Sequence, residues 1–189
     1  MIKKVRFYIA FLYNKYYYFV KRGAYFIKTD DLLIEFYNKL PENELELYKE
    51  LAKMAIKLGY NPKKTSKTSF SLNFSSNKTK KTILRFIVDI NKHRTLIYWK
   101  LKFYANKKYS QIFEKSLKDT IEEFNYKYVG CYGCGKCKNE KFGYNIQYED
   151  GRKYFRCGFE LIDIKIISKE LVKEAVKMME IQHDAFEME

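Results

Sequence analysis

The cysteines of this chain lie in one stretch of the sequence. Cys131, Cys134 and Cys137 form a C-x2-C-x2-C pattern, and Cys157 follows further on. No other position among the 189 residues is a cysteine, which argues against four scattered apolar side chains. Because thiolates are ligands of zinc and of iron–sulfur clusters, we expect these four residues to bind a metal.

Zinc is the metal that the surrounding residues favour. Gly133 and Gly135 let the backbone wrap closely around an ion, as the turn of a zinc knuckle does. A predicted hairpin with Asp150–Gly151 at its turn would return Cys157 to the other three cysteines. Four thiolates on one Zn²⁺ leave a net negative charge, and three basic side chains close in sequence are expected to offset it: Lys136, Lys138 and Arg156.

Other chemistries fit the same cysteines. A [4Fe–4S] cluster also uses three cysteines spaced by twos and a remote fourth, although Gly158 replaces the usual proline after the remote one. Redox thiols or disulfides are a further alternative, but no secretion signal indicates an oxidising compartment. The last alternative is that the four cysteines bind no metal and form no bond with one another. Zinc is therefore the first interpretation, the cluster is the second, and the expected location is the cytoplasm.

The other reactive side chains do not form a recognisable catalytic set. His93 lies in a predicted turn, and His183 is followed by Asp184, a neighbour that does not face it on a helix. Glu160 and Asp163 are three positions apart on a predicted strand and therefore lie on opposite faces. The sequence has no G-x-S-x-G, phosphate-loop or H-E-x-x-H motif. We expect a protein that is not an enzyme.

The charge of the chain raises the question of nucleic-acid binding. The net charge is +14 at pH 7, and residues 61–110 hold thirteen Lys or Arg and one acid. Within them, "YWKLKFYANKKYS" alternates aromatic and basic residues, as a single-strand-binding sheet does and as any half-buried strand does. The chain has 31 Lys and 6 Arg, a bias typical of AT-rich coding. A solvated basic surface is the favoured interpretation, and nucleic-acid binding through 61–110 is the alternative.

The first 28 residues are aromatic and basic, with seven Lys or Arg and no acid. The apolar run from Phe7 to Tyr13 is too short to span a bilayer, which takes about 20 residues. We expect this segment to pack on the domain. The alternatives are contact with a membrane surface and a natural start near Lys28. In the membrane interpretation the residues that meet anionic lipid are Lys3, Lys4, Arg6, Lys21 and Arg22.

The hydrophobic pattern of the rest predicts helices and strands in a mixed order. Thr29 and Asp30 are expected to cap a helix over "DLLIEFYNKL", and a second helix is expected between Pro41 and Gly59. A polar linker and three strand-like runs follow: "SFSLNFS", "KTILRFIVDI" and "RTLIYWKLKFYA", with a hairpin connection at 91–94.

A third helix is expected over 108–125, before the cysteines. After them come the Asp150–Gly151 hairpin, a strand in "ELIDIKII" and a last helix capped by Ser168. This order predicts a single α+β domain over residues 29–189 with a mainly antiparallel sheet and helices packed on one face. The cysteine-rich metal knot is expected as an insertion at 130–158.

Three blocks of the sequence resemble a known signature: "KFYANKKYS", "YVGCYGCGKC" and "YEDGRKYFRCGFELI". The pattern is similar to that of a family of AT-rich bacteria with a C-x2-C-x2-C…C signature and no assigned function. The resemblance covers residues 30–186. It implies no mechanism and no catalytic residue.

Overall fold

The structure is a computed structural model that describes residues 24–65, 70–91, 94–105, 108–123, 143–158 and 160–189. These ranges contain four helices and seven strands. The helices are α1 (Ala24–Tyr37), α2 (Glu42–Lys57), α3 (Gln111–Glu123) and α4 (Lys169–Met188). The strands are β1 (Tyr60–Lys64), β2 (Phe70–Ser76), β3 (Thr82–Asn91), β4 (Arg94–Leu101), β5 (Gly143–Gln147), β6 (Lys153–Cys157) and β7 (Ile162–Ile164).

Five of the strands form one antiparallel sheet in the order β1-β2-β3-β4-β7. Strands β3 and β4 pair from Leu84 opposite Leu101 to Asn91 opposite Arg94, as the predicted hairpin connection requires. Strands β5 and β6 pair only with each other in a second, two-stranded sheet. The predicted α+β fold with a mainly antiparallel sheet is confirmed.

One face of the five-stranded sheet carries the aromatic core. Alternation along β2 and β3 places large apolar side chains on this face, and Phe86 lies at its centre. The Phe86 ring lies 4.9 Å from Phe36 of α1, 5.1 Å from Tyr48 of α2 and 4.9 Å from Phe74 of β2, centroid to centroid. Helices α1 and α2 therefore cover this side of the sheet.

The opposite face of the same strands is polar. At one level of the sheet, Asn73, Arg85, Lys100 and Asp163 are register partners across β2, β3, β4 and β7. A shallow groove runs over this face, lined by Thr65, Ser71, Asn73, Arg85, Ile87, Asp89, Tyr98 and Lys100. The sheet thus has one aromatic face and one polar face.

Helices α2 and α4 begin and end as their sequences predict. Pro41 precedes the first residue of α2, and Gly59 follows its last turn with φ of +85°, a conformation that glycine adopts without steric cost. The Ser168 side chain accepts a 3.2 Å hydrogen bond from the Leu171 N–H at the start of α4. The predicted apolar face of α4 is buried: Leu171, Val172, Ala175, Met179 and Phe186.

Two details differ from the sequence-based prediction. The described part of helix α1 already includes Ala24, so Thr29 and Asp30 lie within the helix and do not cap it. The expected linker after Gly59 begins with a strand, because β1 pairs with β2 along its whole length. Residues 1–23, and with them most of the aromatic basic segment, lie outside the described ranges.

No helix within the described residues is both long and apolar enough to cross a bilayer.

Candidate metal centre at the open end of the hairpin

The predicted Asp150–Gly151 hairpin is confirmed. Strands β5 and β6 are joined by a turn in which Gly151 has φ of +85°. The Gly151 N–H donates to the Tyr148 carbonyl at 2.9 Å, and the Tyr148 N–H donates to the Arg152 carbonyl at 2.9 Å. An Asp150 carboxylate oxygen accepts the Arg152 N–H at 3.0 Å. The Asp150–Gly151 pair alone was therefore enough to predict this turn.

Cys157 is the last residue of β6 and lies at the open end of the hairpin, away from the turn. Its register partner is Gly143, the residue that directly follows the undescribed range 124–142. Only 1% of the surface of Cys157 is exposed. The other three predicted ligands, Cys131, Cys134 and Cys137, lie outside the described residues, so the structure neither assembles nor separates the predicted set.

Gly143 is required at this position by close packing. A Cβ atom built on Gly143 would lie 2.4 Å from two atoms of the Phe155 ring and 2.5 Å from the Arg156 carbonyl oxygen. Contacts this short are not tolerated between real side chains, and a backbone oxygen cannot move alone. The two strands therefore approach each other closely where the cysteine segment joins the hairpin.

Tyr144 attaches this end of the hairpin to the main sheet. Its side chain is fully buried, and its hydroxyl donates to the Glu160 carbonyl at 3.0 Å and accepts the Phe103 N–H at 3.3 Å. Burial raises the pKa of Tyr144 well above its usual range, so the hydroxyl keeps the proton that it donates. The same ring packs 6.0 Å from Phe113 of α3.

Lys102 is a residue of this site that sequence analysis missed. It follows β4 on the polar side of the strand alternation, yet it is only 7% exposed. The pKa of Lys102 is lowered to about 8, mainly by burial and also by the positive charges of Lys81 and Arg85, while the negative charge of a Cys157 thiolate acts in the opposite direction. Lys102 thus places a positive charge near the Cys157 sulfur.

Tyr104 gives a second indication that Cys157 lies beside the chain leaving β4. Burial raises the pKa of Tyr104 to about 12, and the negative charge of a Cys157 thiolate contributes to that rise. The Tyr104 ring lies 6.3 Å from the Tyr144 ring. Residues 102–104 therefore line the open end of the hairpin.

Arg156 was predicted to offset the charge of a thiolate site. In the structure its guanidinium forms an ion pair with Glu160, and both side chains are largely buried. On a strand, neighbouring residues point to opposite faces, so Arg156 and Cys157 do not share a side. Lys136 and Lys138 lie outside the described residues.

The other candidate groups within the described residues are engaged in separate contacts. Glu160 pairs with Arg156, whereas Asp163 pairs with Lys100 at 2.6 Å, so the two carboxylates are engaged separately. His183 is half-buried, with Nδ1 3.3 Å from the Tyr60 hydroxyl. His93 lies outside the described residues. In the described part of the chain, no three His, Cys, Asp or Glu side chains are grouped as metal ligands would be.

The basic segment 61–110 is distributed over both sides of the sheet. Four of its lysines form ion pairs with acids from elsewhere in the chain: Lys64 with Glu35, Lys78 with Glu187, Lys81 with Glu189 and Lys100 with Asp163. The aromatic residues of "YWKLKFYANKKYS" are mostly core, because Trp99, Phe103 and Tyr104 are buried. Tyr98 and Lys100 point to the polar face instead.

Comparison with protein-family models, curated proteins and solved structures finds no match to this chain. Function must therefore be argued from the residues themselves.

Proposed function

We propose that this chain is a cytoplasmic, non-enzymatic protein in which Cys131, Cys134, Cys137 and Cys157 bind one structural Zn²⁺. The observation that supports it is the position of Cys157, buried at the open end of the hairpin and opposite Gly143. Cys137 precedes Gly143 by six residues, so the chain can place it at most about 20 Å away. The segment of sequence that holds the three clustered cysteines therefore joins the hairpin at the end where Cys157 lies.

Such a site gives the hairpin a stability that it lacks alone. A two-stranded hairpin is marginal in water unless it packs on other elements. Here its open end is held by Tyr144 and by the burial of Cys157, while its turn is exposed. A metal bound by Cys157 and the preceding segment would close this end. Because a structural zinc site rarely exists in the unfolded chain, its binding free energy contributes to folding.

A thiolate site at the end of the hairpin needs positive charge in its surroundings. Four thiolates on Zn²⁺ keep a net negative charge, and an unpaired buried charge is costly. Lys102 is buried and interacts electrostatically with Cys157, so it can supply part of that positive charge. A positive charge beside the thiolates would stabilise a zinc site and a [4Fe–4S] cluster equally. Metal analysis distinguishes the two.

Metal analysis of the purified protein tests the proposal. We expect about one zinc per chain and a colourless solution. A brown protein prepared without oxygen, absorbing at about 400 nm, would assign the cysteines to a cluster instead. Protein with neither metal, after purification without chelator and addition of excess zinc, would refute a metal site.

Two variants separate metal binding from packing. Cys157→Ser is expected to lower zinc occupancy and to cost several kcal/mol of folding free energy. Ile146→Val removes a buried methyl group from the same hairpin and is expected to cost about 0.5–1.5 kcal/mol with zinc retained. Full zinc content and an unchanged melting temperature in Cys157→Ser would show that Cys157 is not a ligand.

A further inference from the structure

The polar face of the five-stranded sheet carries two opposed positive charges. Arg85 of β3 and Lys100 of β4 are direct register partners, and like charges in this position repel each other. Lys100 is compensated by Asp163 at 2.6 Å. The Arg85 Nε donates to the Asn73 side-chain oxygen, which is neutral. The amide orients the guanidinium without cancelling its charge, so an anion placed between Arg85 and Lys100 would relieve the repulsion.

One step along the strands, the same face carries uncharged side chains. Ile87 is the partner of Ser71 on one side and of Tyr98 on the other. Ile87 forms the buried floor, and the Lys100 Nζ lies 5.6 Å from the centre of the Tyr98 ring. Residues two apart on a strand are separated by about 6.8 Å. An anion site and an aromatic platform thus lie side by side, at a spacing comparable to that between the phosphate and the base of one nucleotide.

We propose that this face binds single-stranded nucleic acid, with a phosphate between Arg85 and Lys100 and a base against Tyr98 and Ile87. Sheet faces that bind single strands combine basic side chains with an aromatic ring on which a base stacks. Asp89, two residues beyond Ile87 on the same face, accepts hydrogen bonds from the base or sugar and keeps further phosphates away. The site therefore holds a short segment, with few phosphate contacts.

The small number of cations gives a quantitative expectation. Each phosphate neutralised on a single strand contributes about −0.7 to the slope of log K against log salt concentration. One phosphate held between Arg85 and Lys100 therefore predicts a slope of roughly −0.7, and Arg85→Gln should bring it closer to zero. Binding driven by the whole +14 charge of the chain would give a much steeper slope that is insensitive to any one residue.

Fluorescence anisotropy with labelled oligo-dT and oligo-U of about eight nucleotides, at about 50 mM salt, tests the site. Arg85→Gln is expected to weaken binding roughly 10-fold, and Tyr98→Ser roughly 5-fold or more. The matched control is Lys53→Gln, which removes one charge from the exposed side of α2. We expect it to change affinity less than about 2-fold.

Several results would overturn the proposal. These are no binding to either oligonucleotide, tighter binding to duplex than to single strands, equal loss in Lys53→Gln and Arg85→Gln, or full competition by poly-glutamate. If Tyr98→Ser lowers the melting temperature, Tyr98→Leu replaces it, because leucine keeps the apolar volume but offers no ring. Preference for oligo-U over oligo-dT would assign the partner as RNA.

Discussion

The five-stranded sheet and the β5–β6 hairpin are held in place by different means. The sheet buries a row of aromatic and aliphatic side chains against α1 and α2, so its stability is shared among many contacts. Among the described residues, the hairpin is attached through a few specific contacts: the two hydrogen bonds of the Tyr144 hydroxyl, the hydrogen bond from the Asn145 N–H to the Tyr109 hydroxyl, and the burial of Cys157. A region with few contacts is more sensitive to the loss of any one of them and opens locally at lower cost.

The largest effect is expected in the sheet. Phe86→Ala removes the ring at the centre of the aromatic face, which is fully buried between Phe36, Tyr48 and Phe74. We expect a loss of about 3–5 kcal/mol in the free energy of unfolding, measured with denaturant. Ile34→Ala is the control, since Ile34 is 54% exposed, and should cost less than about 0.5 kcal/mol. A loss below about 1 kcal/mol for Phe86→Ala would contradict the central place given to this ring.

The next effect is expected where the hairpin strands are closest. Gly143→Ala would place a methyl group against Phe155 and the Arg156 carbonyl, so the strands must separate. Overpacking of this kind costs about 1–3 kcal/mol, and the upper part of that range is expected because backbone must move. Hydrogen exchange should accelerate in β5 and β6 and stay unchanged in β2 and β3. Uniform acceleration would show that the hairpin has no opening of its own.

Tyr144→Phe tests the link between the two regions. It deletes the hydroxyl that accepts a hydrogen bond from the Phe103 N–H and donates one to the Glu160 carbonyl. Both backbone groups then lose this hydrogen-bond partner. The expected cost is about 1–3 kcal/mol in the free energy of unfolding, with faster amide exchange at Phe103. Tyr154→Phe on β6 is the control, because the bond that its hydroxyl accepts from Arg152 is exposed and 3.5 Å long. Equal losses in the two variants would refute the anchoring role of Tyr144.

What the sequence predicted well depended on local signals. The alternation of Phe70, Leu72 and Phe74 predicted β2, the Asp150–Gly151 pair predicted the hairpin, and Ser168 predicted the start of α4. Each of these depends on residues a few positions apart. The α+β class followed from their order, although the separation of the hairpin into its own sheet did not.

The features that the sequence did not predict depend on residues distant from one another in the chain. Strand β1 contains Pro62, which a central strand excludes but an edge strand tolerates, and only the pairing with β2 reveals it. Lys102 follows the polar side of its strand, yet its side chain is buried. Gln182 lies on the apolar face of α4, where its side-chain oxygen accepts the Tyr104 and Ala105 N–H groups at 2.7 and 3.0 Å. Of the candidate site, sequence predicted the position of Cys157 on the hairpin but not its charged neighbour.

The smallest effect comes from two glycines with the same backbone conformation. Gly59 lies between α2 and the main sheet and Gly151 in the hairpin turn; both have φ of +85°, and a methyl group added to either would meet no described atom within 4 Å. Substitution by alanine therefore adds only the cost of a left-handed residue, about 1–2 kcal/mol, at either site. Gly59→Ala should lower the global unfolding free energy by this amount, because the connection it strains is part of the sheet domain. Gly151→Ala should instead appear mainly as faster hydrogen exchange in β5 and β6, with a smaller change in the global transition. Equal global losses from both variants would show that the sheet and the hairpin unfold as one cooperative unit.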